Sequence, residues 1–129
     1  MKKSKQALRF AFIDDDKDNH RQWLEWARGL GHVAAAFESV FDANRFRADF
    51  FIIDVSATCP MMLNTVNAYS PIAALQENHP GATIVVGSCM SRNAVEEILD
   101  RVEEVTGQRP LFFDASEGFR GLEKLLSSI

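Results

Sequence analysis

Asp14, Asp15 and Asp16 follow one another directly behind the apolar run RFAFI, and two further apolar runs, FFII and LFF, also end in aspartate, at Asp54 and Asp114. Carboxylates gathered in one place repel one another unless a cation or protons neutralise them. Oxygen-only ligands with room left for water suit Mg²⁺, which keeps part of its hydration shell. The chemistry this pattern points to is a small acidic cup for a divalent metal. Its existence depends on whether the fold brings Asp14, Asp15 and Asp54 together.

Strand-like apolar runs alternate with helical patterns along the whole chain. RFAFID reads as the first strand. From Lys17 to Leu30 the apolar positions Trp23, Leu24, Trp26, Ala27 and Leu30 recur at helical spacing, and GLGH ends that helix. HVAAAF is a weak second strand. Ser39 offers an N-cap, with Asp42 three residues later, for a short helix through about Arg47. FFIIDV is the third strand, followed by SATCPMMLNTVNAY, which has no clean period. Ser70 and Pro71 read as an N-cap and a first helical residue opening PIAALQEN, and HPG is a turn. ATIVVG is the fourth strand. Ser91 then caps a helix with Val95, Ile98, Leu99, Val102 and Val105 on one face, ended by Gly107. PLFFD is the fifth strand, and Ser116 to the end is a last amphipathic helix.

Five βα units with continuous apolar strands imply a parallel sheet covered on both faces. The expected architecture is a flavodoxin-like (βα)5 three-layer α/β sandwich with strand order 2-1-3-4-5. Every strand of such a sheet ends on the same edge, and ligands bind at the switch point between strands one and three. That places Asp14, Asp15 and Asp54 side by side. Asp16 sits where the first helix wants an N-cap. Trp23 and Trp26 read as half-core residues of that helix, able to report on the metal site by fluorescence.

The 129 residues, 47% hydrophobic and 25% charged, fit one domain over 1–129, with 1–7 a basic tail. A net charge of −4 argues against a dedicated nucleic-acid surface. No apolar run approaches the ~18 residues of a membrane span, and MKKSKQALRF lacks the apolar core of a signal peptide. The expectation is a cytoplasmic protein with Cys59 and Cys89 as reduced thiols in loops. His20, His32 and His79 show no metal-ligand spacing. A Mg²⁺-dependent hydrolase would need a general acid or a phosphate-cradling glycine loop, and neither is visible.

With these motifs the chain resembles the receiver domain of bacterial two-component response regulators, over essentially its whole length. FIDDDKDN looks like that family's acidic pair and FFIIDV like the strand carrying its phosphoacceptor. The resemblance implies that Asp14 and Asp15 hold Mg²⁺, that the main-chain carbonyl of Ser56 completes the metal site, and that Asp54 takes a phosphoryl group. The implied partners are a histidine kinase or phosphotransfer protein, a downstream protein target, and a second copy of the chain in a homodimer built on the last strand and its flanking helices. No enzyme activity is implied beyond self-phosphorylation and self-dephosphorylation, and no DNA-binding activity is expected from this chain alone.

The readout half of the family pattern is altered. Gly87 stands where a Ser or Thr ends strand four, with Ser88 one residue later. Asp114 replaces the lysine after strand five, which substitutes an anion for a cation that stabilises phosphoryl oxygens, and it reads instead as an N-cap with Glu117. Leu111 takes the place of the switch aromatic unless the register moves to Phe112. Arg92, in the loop after strand four, is the nearest candidate by sequence to replace the missing cation. The stretch from Asp54 to HPG, with its long loop 55–70, is about six residues longer than the family's, the proline expected soon after the aspartate lies at Pro60, and CPMML and Tyr69 are candidates for partner contact. The alternative reading is a pseudo-receiver, never phosphorylated, that acts as a protein–protein interaction module.

Overall fold

A computed structural model describes residues 7–14, 16–54, 69–88 and 92–127, with Arg92 and Ala94 as backbone only. Five strands, β1 (Arg9–Ile13), β2 (Val33–Phe37), β3 (Phe50–Asp54), β4 (Thr83–Ser88) and β5 (Leu111–Asp114), form one parallel sheet in the order β2-β1-β3-β4-β5. The described helices are α1 (Lys17–Gly29), α2 (Val40–Ala43), α3 (Tyr69–Asn78), α4 (Arg92–Thr106) and α5 (Phe119–Ser127), the last preceded by a 3₁₀ turn at Ala115–Glu117. This is the expected flavodoxin-like (βα)5 topology. No helix among the described residues is long and apolar enough to cross a membrane.

Alternation along each strand divides the core in two. Ala11, Ile13, Phe51, Ile53, Ile84 and Val86 face one side and pack with Ile72 and Leu75 of α3 and Val95, Ile98, Leu99 and Val102 of α4. Phe10, Phe12, Ile52, Val85 and Phe113 face the other and pack with Ala27 of α1 and Leu122 of α5. That second layer is aromatic. Phe12 stacks on Trp23, Phe10 meets the edge of Trp26, and Trp26 stacks on Phe119. The indole N–H of Trp26 donates to Glu123 at 2.9 Å, so α1 and α5 are joined by polar as well as apolar contact.

Local chemistry sets the helix ends. Asp16 is the α1 N-cap, accepting from Asp18 N at 2.9 Å. After Leu30, Gly31 at φ 87° donates to Arg28 O and reverses the chain, a backbone state that favours glycine. Ser39 caps α2 by accepting from Asp42 N. Gly107, at φ 78°, donates to Glu103 O and ends α4. Arg109 then turns back on α4, pairing with Glu96, with Asp100 at 2.6 Å and with Glu103 at 3.1 Å. These acids hold its guanidinium above its ordinary pKa, the hydrogen bond to Asp100 contributing most.

Three boundaries differ from expectation. Helix α2 stops at Ala43 rather than near Arg47, because Asn44 N turns to Phe41 O and Phe46 N to Ala43 O, three-residue turns that carry the Phe46 ring against Phe37. Ser70 is not an N-cap: Tyr69 is already helical, and Pro71 is still tolerated because a helix's first N–H groups have no partner within it. The last helix does not start at Ser116, since Gly118 at φ 61° separates the 3₁₀ turn from α5. The expected cap at Ser91 and the tail residues 1–6 lie outside the described residues.

Leu122 has no exposed surface, whereas Phe41 is 81% exposed. Leu122→Ala is expected to lower unfolding free energy by about 2–5 kcal/mol, and Phe41→Ala to change it by under about 0.5 kcal/mol. Urea unfolding of the two variants checks both.

Candidate functional site

Residue pairing in the sheet decides where the acids stand. Ile13 pairs with Ile53 across β1 and β3, so Asp14 and Asp54, one residue further on, leave the same edge of the sheet side by side. Both line a cavity of about 260 Å³ whose walls include Asn19, Gln22 and Trp23 of α1, Phe113 of β5 and Phe119 of α5. The structure thus brings together two of the carboxylates the sequence singled out. Asp15 and Ser56, the other two members of the expected metal site, lie outside the described residues, as do Cys59, Pro60, Cys89 and the CPMML segment. Nothing about the side chain of Arg92 is described.

Asp14 is a buried carboxylate, 3% exposed, and its oxygens are held by three donors. Asp16 N donates to Oδ1 at 2.9 Å. Asn19 Nδ2, at 3.1 Å, and Trp23 Nε1, at 3.3 Å, both donate to Oδ2. The backbone is fixed as well: Asp14 N donates to Phe37 O of β2 at 3.0 Å, and His20 Nε2 donates to Asp14 O at 2.6 Å. A buried charge is tolerated when it is hydrogen-bonded in this way. Among the described residues, no three of His, Cys, Asp and Glu stand close enough to hold a metal, so a complete cup needs a donor from outside that set.

Asp54 is half-buried at the end of β3 and pairs with Gly87 on β4. Gly87 in turn pairs with Phe113 on β5. The Phe113 ring leans over the glycine so closely that a Cβ there would lie 2.5 Å from two of its carbons. The room above Gly87, on the β4 side of Asp54, is therefore taken by an aromatic ring reaching across from β5. Ser88 is buried and stands one step further along, opposite Asp114.

Asp114 is exposed and does not line the cavity with Asp14 and Asp54. Its Oδ1 accepts from Ser116 Oγ at 2.7 Å and Ser116 N at 2.9 Å, capping the 3₁₀ turn. Those two bonds, the hydroxyl first, hold its carboxyl below the usual range. Leu111 packs on the α1–α5 side of the sheet, and Phe112 on the side of α3 and α4. Tyr69 packs partly buried against that same core.

Sequence reading missed Asn19 and Phe113 as site residues and took Trp23 as a half-core residue able to report on the metal site, not as a donor to Asp14. A signal existed for the first: Asn19 and Trp23 stand four residues apart, one turn on one helix face, just beyond Asp14. None existed for Phe113, whose neighbours are set by register across strands.

No family model matches the chain, and no curated protein matches its sequence. Solved structures do match its fold. The chemotaxis response regulator CheY4 of Vibrio cholerae superposes with a TM-score of 0.73 at 13% identity, over 95% of this chain and 98% of that one. A LuxR-family DNA-binding response regulator from Staphylococcus aureus gives 0.69 at 9% identity, over 94% and 97%. A Burkholderia pseudomallei response regulator with a phosphorylated aspartic acid and a calcium ion gives 0.59 at 17%, over 81% and 59%. At these identities the likeness is one of fold, and the fold is that of response-regulator receiver domains.

Two outcomes follow for this edge. Gly87→Ser is expected to destabilise the protein by about 1–3 kcal/mol through overpacking against Phe113, and Phe113→Leu in the same chain to recover part of that loss, measured as a double-mutant cycle in urea. The lowered Asp114 carboxyl contributes stability that is present above the ordinary carboxylate pKa and is lost as pH falls through its folded value. The stability difference between the protein and Asp114→Ala should accordingly be flat at neutral pH and shrink below about pH 4.

Proposed function

We propose that the chain is a receiver module of phosphorelay signalling that accepts a phosphoryl group on Asp54 from a histidine kinase or phosphotransfer protein. The observation that carries this reading is the pairing of Ile13 with Ile53, which sets Asp14 beside Asp54 on one cavity at the switch point of the sheet. A fold shared with response regulators, one of them recorded with a phosphorylated aspartic acid, supports it. In the transfer, an Asp54 carboxylate oxygen forms the new bond to phosphorus as the bond to the donor's imidazole nitrogen breaks, leaving an acyl phosphate and a histidine.

Mg²⁺ fits the residues present: the acids are oxygen donors, and the cavity beside them has room for the waters this ion keeps. Asp14, Asp54, Asp15 and the carbonyl of Ser56 would hold it, and when bound it offsets charge on the transferring group. The chain itself orients Asp14 through Asp16, Asn19 and Trp23 and walls the Asp54 side with Phe113. Phosphorylation adds charge and acceptor oxygens at this edge, through which a downstream partner or a second copy would be recognised. A cytoplasmic setting suits such a module.

A second reading has its own support. Phe113 takes the room above Gly87, on the β4 side of Asp54, and Asp114 is turned to Ser116. Both suit a pseudo-receiver that binds partners without phosphorylation. Intact-mass spectrometry after incubation with Mg²⁺ and acetyl phosphate separates the two. The expected result is a labile gain of about 80 Da, one phosphoryl group, absent from Asp54→Asn. Mg²⁺ binding without any adduct would favour the pseudo-receiver.

A further inference from the structure

We propose that Trp23 is a positioning residue of the acidic site: its indole N–H fixes the Asp14 carboxylate in the orientation from which it meets a divalent cation. The inference rests on the Mg²⁺ reading above and deepens it. A carboxylate offers about four lone-pair positions. Three hydrogen bonds, from Asp16 N, Asn19 Nδ2 and Trp23 Nε1, occupy most of them. What is left for a metal, or for one of its waters, is a restricted direction that those donors define.

Trp23 and Asn19 play unequal parts. The indole stacks on Phe12 with ring centres 5.0 Å apart and planes 16° from parallel. It also meets the edges of Phe119 at 5.0 Å and Phe113 at 6.4 Å. Its N–H is thus fixed by packing on three sides, whereas Asn19 is a half-buried amide on the helix surface. A donor that cannot turn away holds its acceptor still, and outer-shell hydrogen bonds of this kind tune how well a ligand binds metal. The indole also joins Asp14 to Phe113, the ring that walls the space beside Asp54.

The test removes the N–H and keeps the ring. Trp23 is replaced by β-(3-benzothienyl)alanine, whose bicycle has sulfur in place of the N–H, and separately by phenylalanine. Mg²⁺ affinity is read by calorimetry, and thermal unfolding is followed beside it. The benzothienyl protein is expected to bind Mg²⁺ about tenfold more weakly than the natural protein, at the low end for loss of an outer-shell bond, with its melting temperature little changed. In the Trp26→Phe protein, where Trp23 is the only indole, Mg²⁺ is expected to shift the emission. Unaltered Mg²⁺ affinity in the benzothienyl protein would overturn the positioning role while leaving the metal site standing. No Mg²⁺ uptake by the natural protein would overturn the metal site and the positioning role together.

Discussion

Everything at the candidate site depends on one pairing, β1 hydrogen-bonded between β2 and β3 in parallel register. Parallel strands all finish on one edge, so a residue just past β1 must stand beside a residue just past β3. Asp14 is further tied to β2 by its N–H to Phe37 O. A slip of one residue in β1 would exchange the two core faces, turning Phe10 and Phe12 towards α3 and α4. The packing of the two layers opposes that exchange: Phe10 and Phe12 fit a face lined by the indoles of α1, whereas Ala11 and Ile13 fit the face where the aliphatic side chains of α3 and α4 pack. The position of the acids is thus enforced by hydrophobic packing on both sides of the sheet, far more than by anything the acids do for one another.

The second constraint acts across β4. Where a side chain from β4 would approach Asp54, the chain has a glycine, and the room is taken by Phe113. The two positions are one structural unit, since a larger residue at 87 is not compatible with the present ring at 113. A hydroxyl beside Asp54 forms hydrogen bonds and can move towards an anion, whereas a ring locked between Gly87 and Trp23 offers an apolar wall. Together with an Asp114 engaged by Ser116, this leaves the described part of the site acidic and aromatic.

The sequence was legible wherever local chemistry decides the outcome. Apolar runs marked the five strands, the central three of them buried, and their alternation with helical patterns gave the parallel order, because those signals reflect burial on two faces. Asp16, Ser39 and Gly107 were readable as caps and stops, since each acts within its own turn. Legibility failed where a contact crosses between elements. Phe46, drawn in against Phe37, shortens α2, and the indole of Trp23 reaches back to Asp14. The ring of Phe113 lies over a glycine 26 positions earlier, and only strand register explains it. Propensity is blind to all three, because each is a property of the assembled sheet.

The Arg109 brace has a consequence of a different kind. Helix α1 is anchored to the sheet by stacked rings, and α3 by aliphatic packing, contacts that charge screening does not weaken. Helix α4 has an apolar face too, but its outer row of Glu96, Asp100 and Glu103 is gathered by one guanidinium at the start of β5. Exposed ion pairs of this sort weaken as the Debye length shortens. The fold therefore has unequal sensitivity to ionic strength. Raising salt acts first on the seam between α4 and β5, and less on the α1 side, where the exposed pair of Lys17 and Glu38 stands 3.8 Å apart and stacked rings carry the packing.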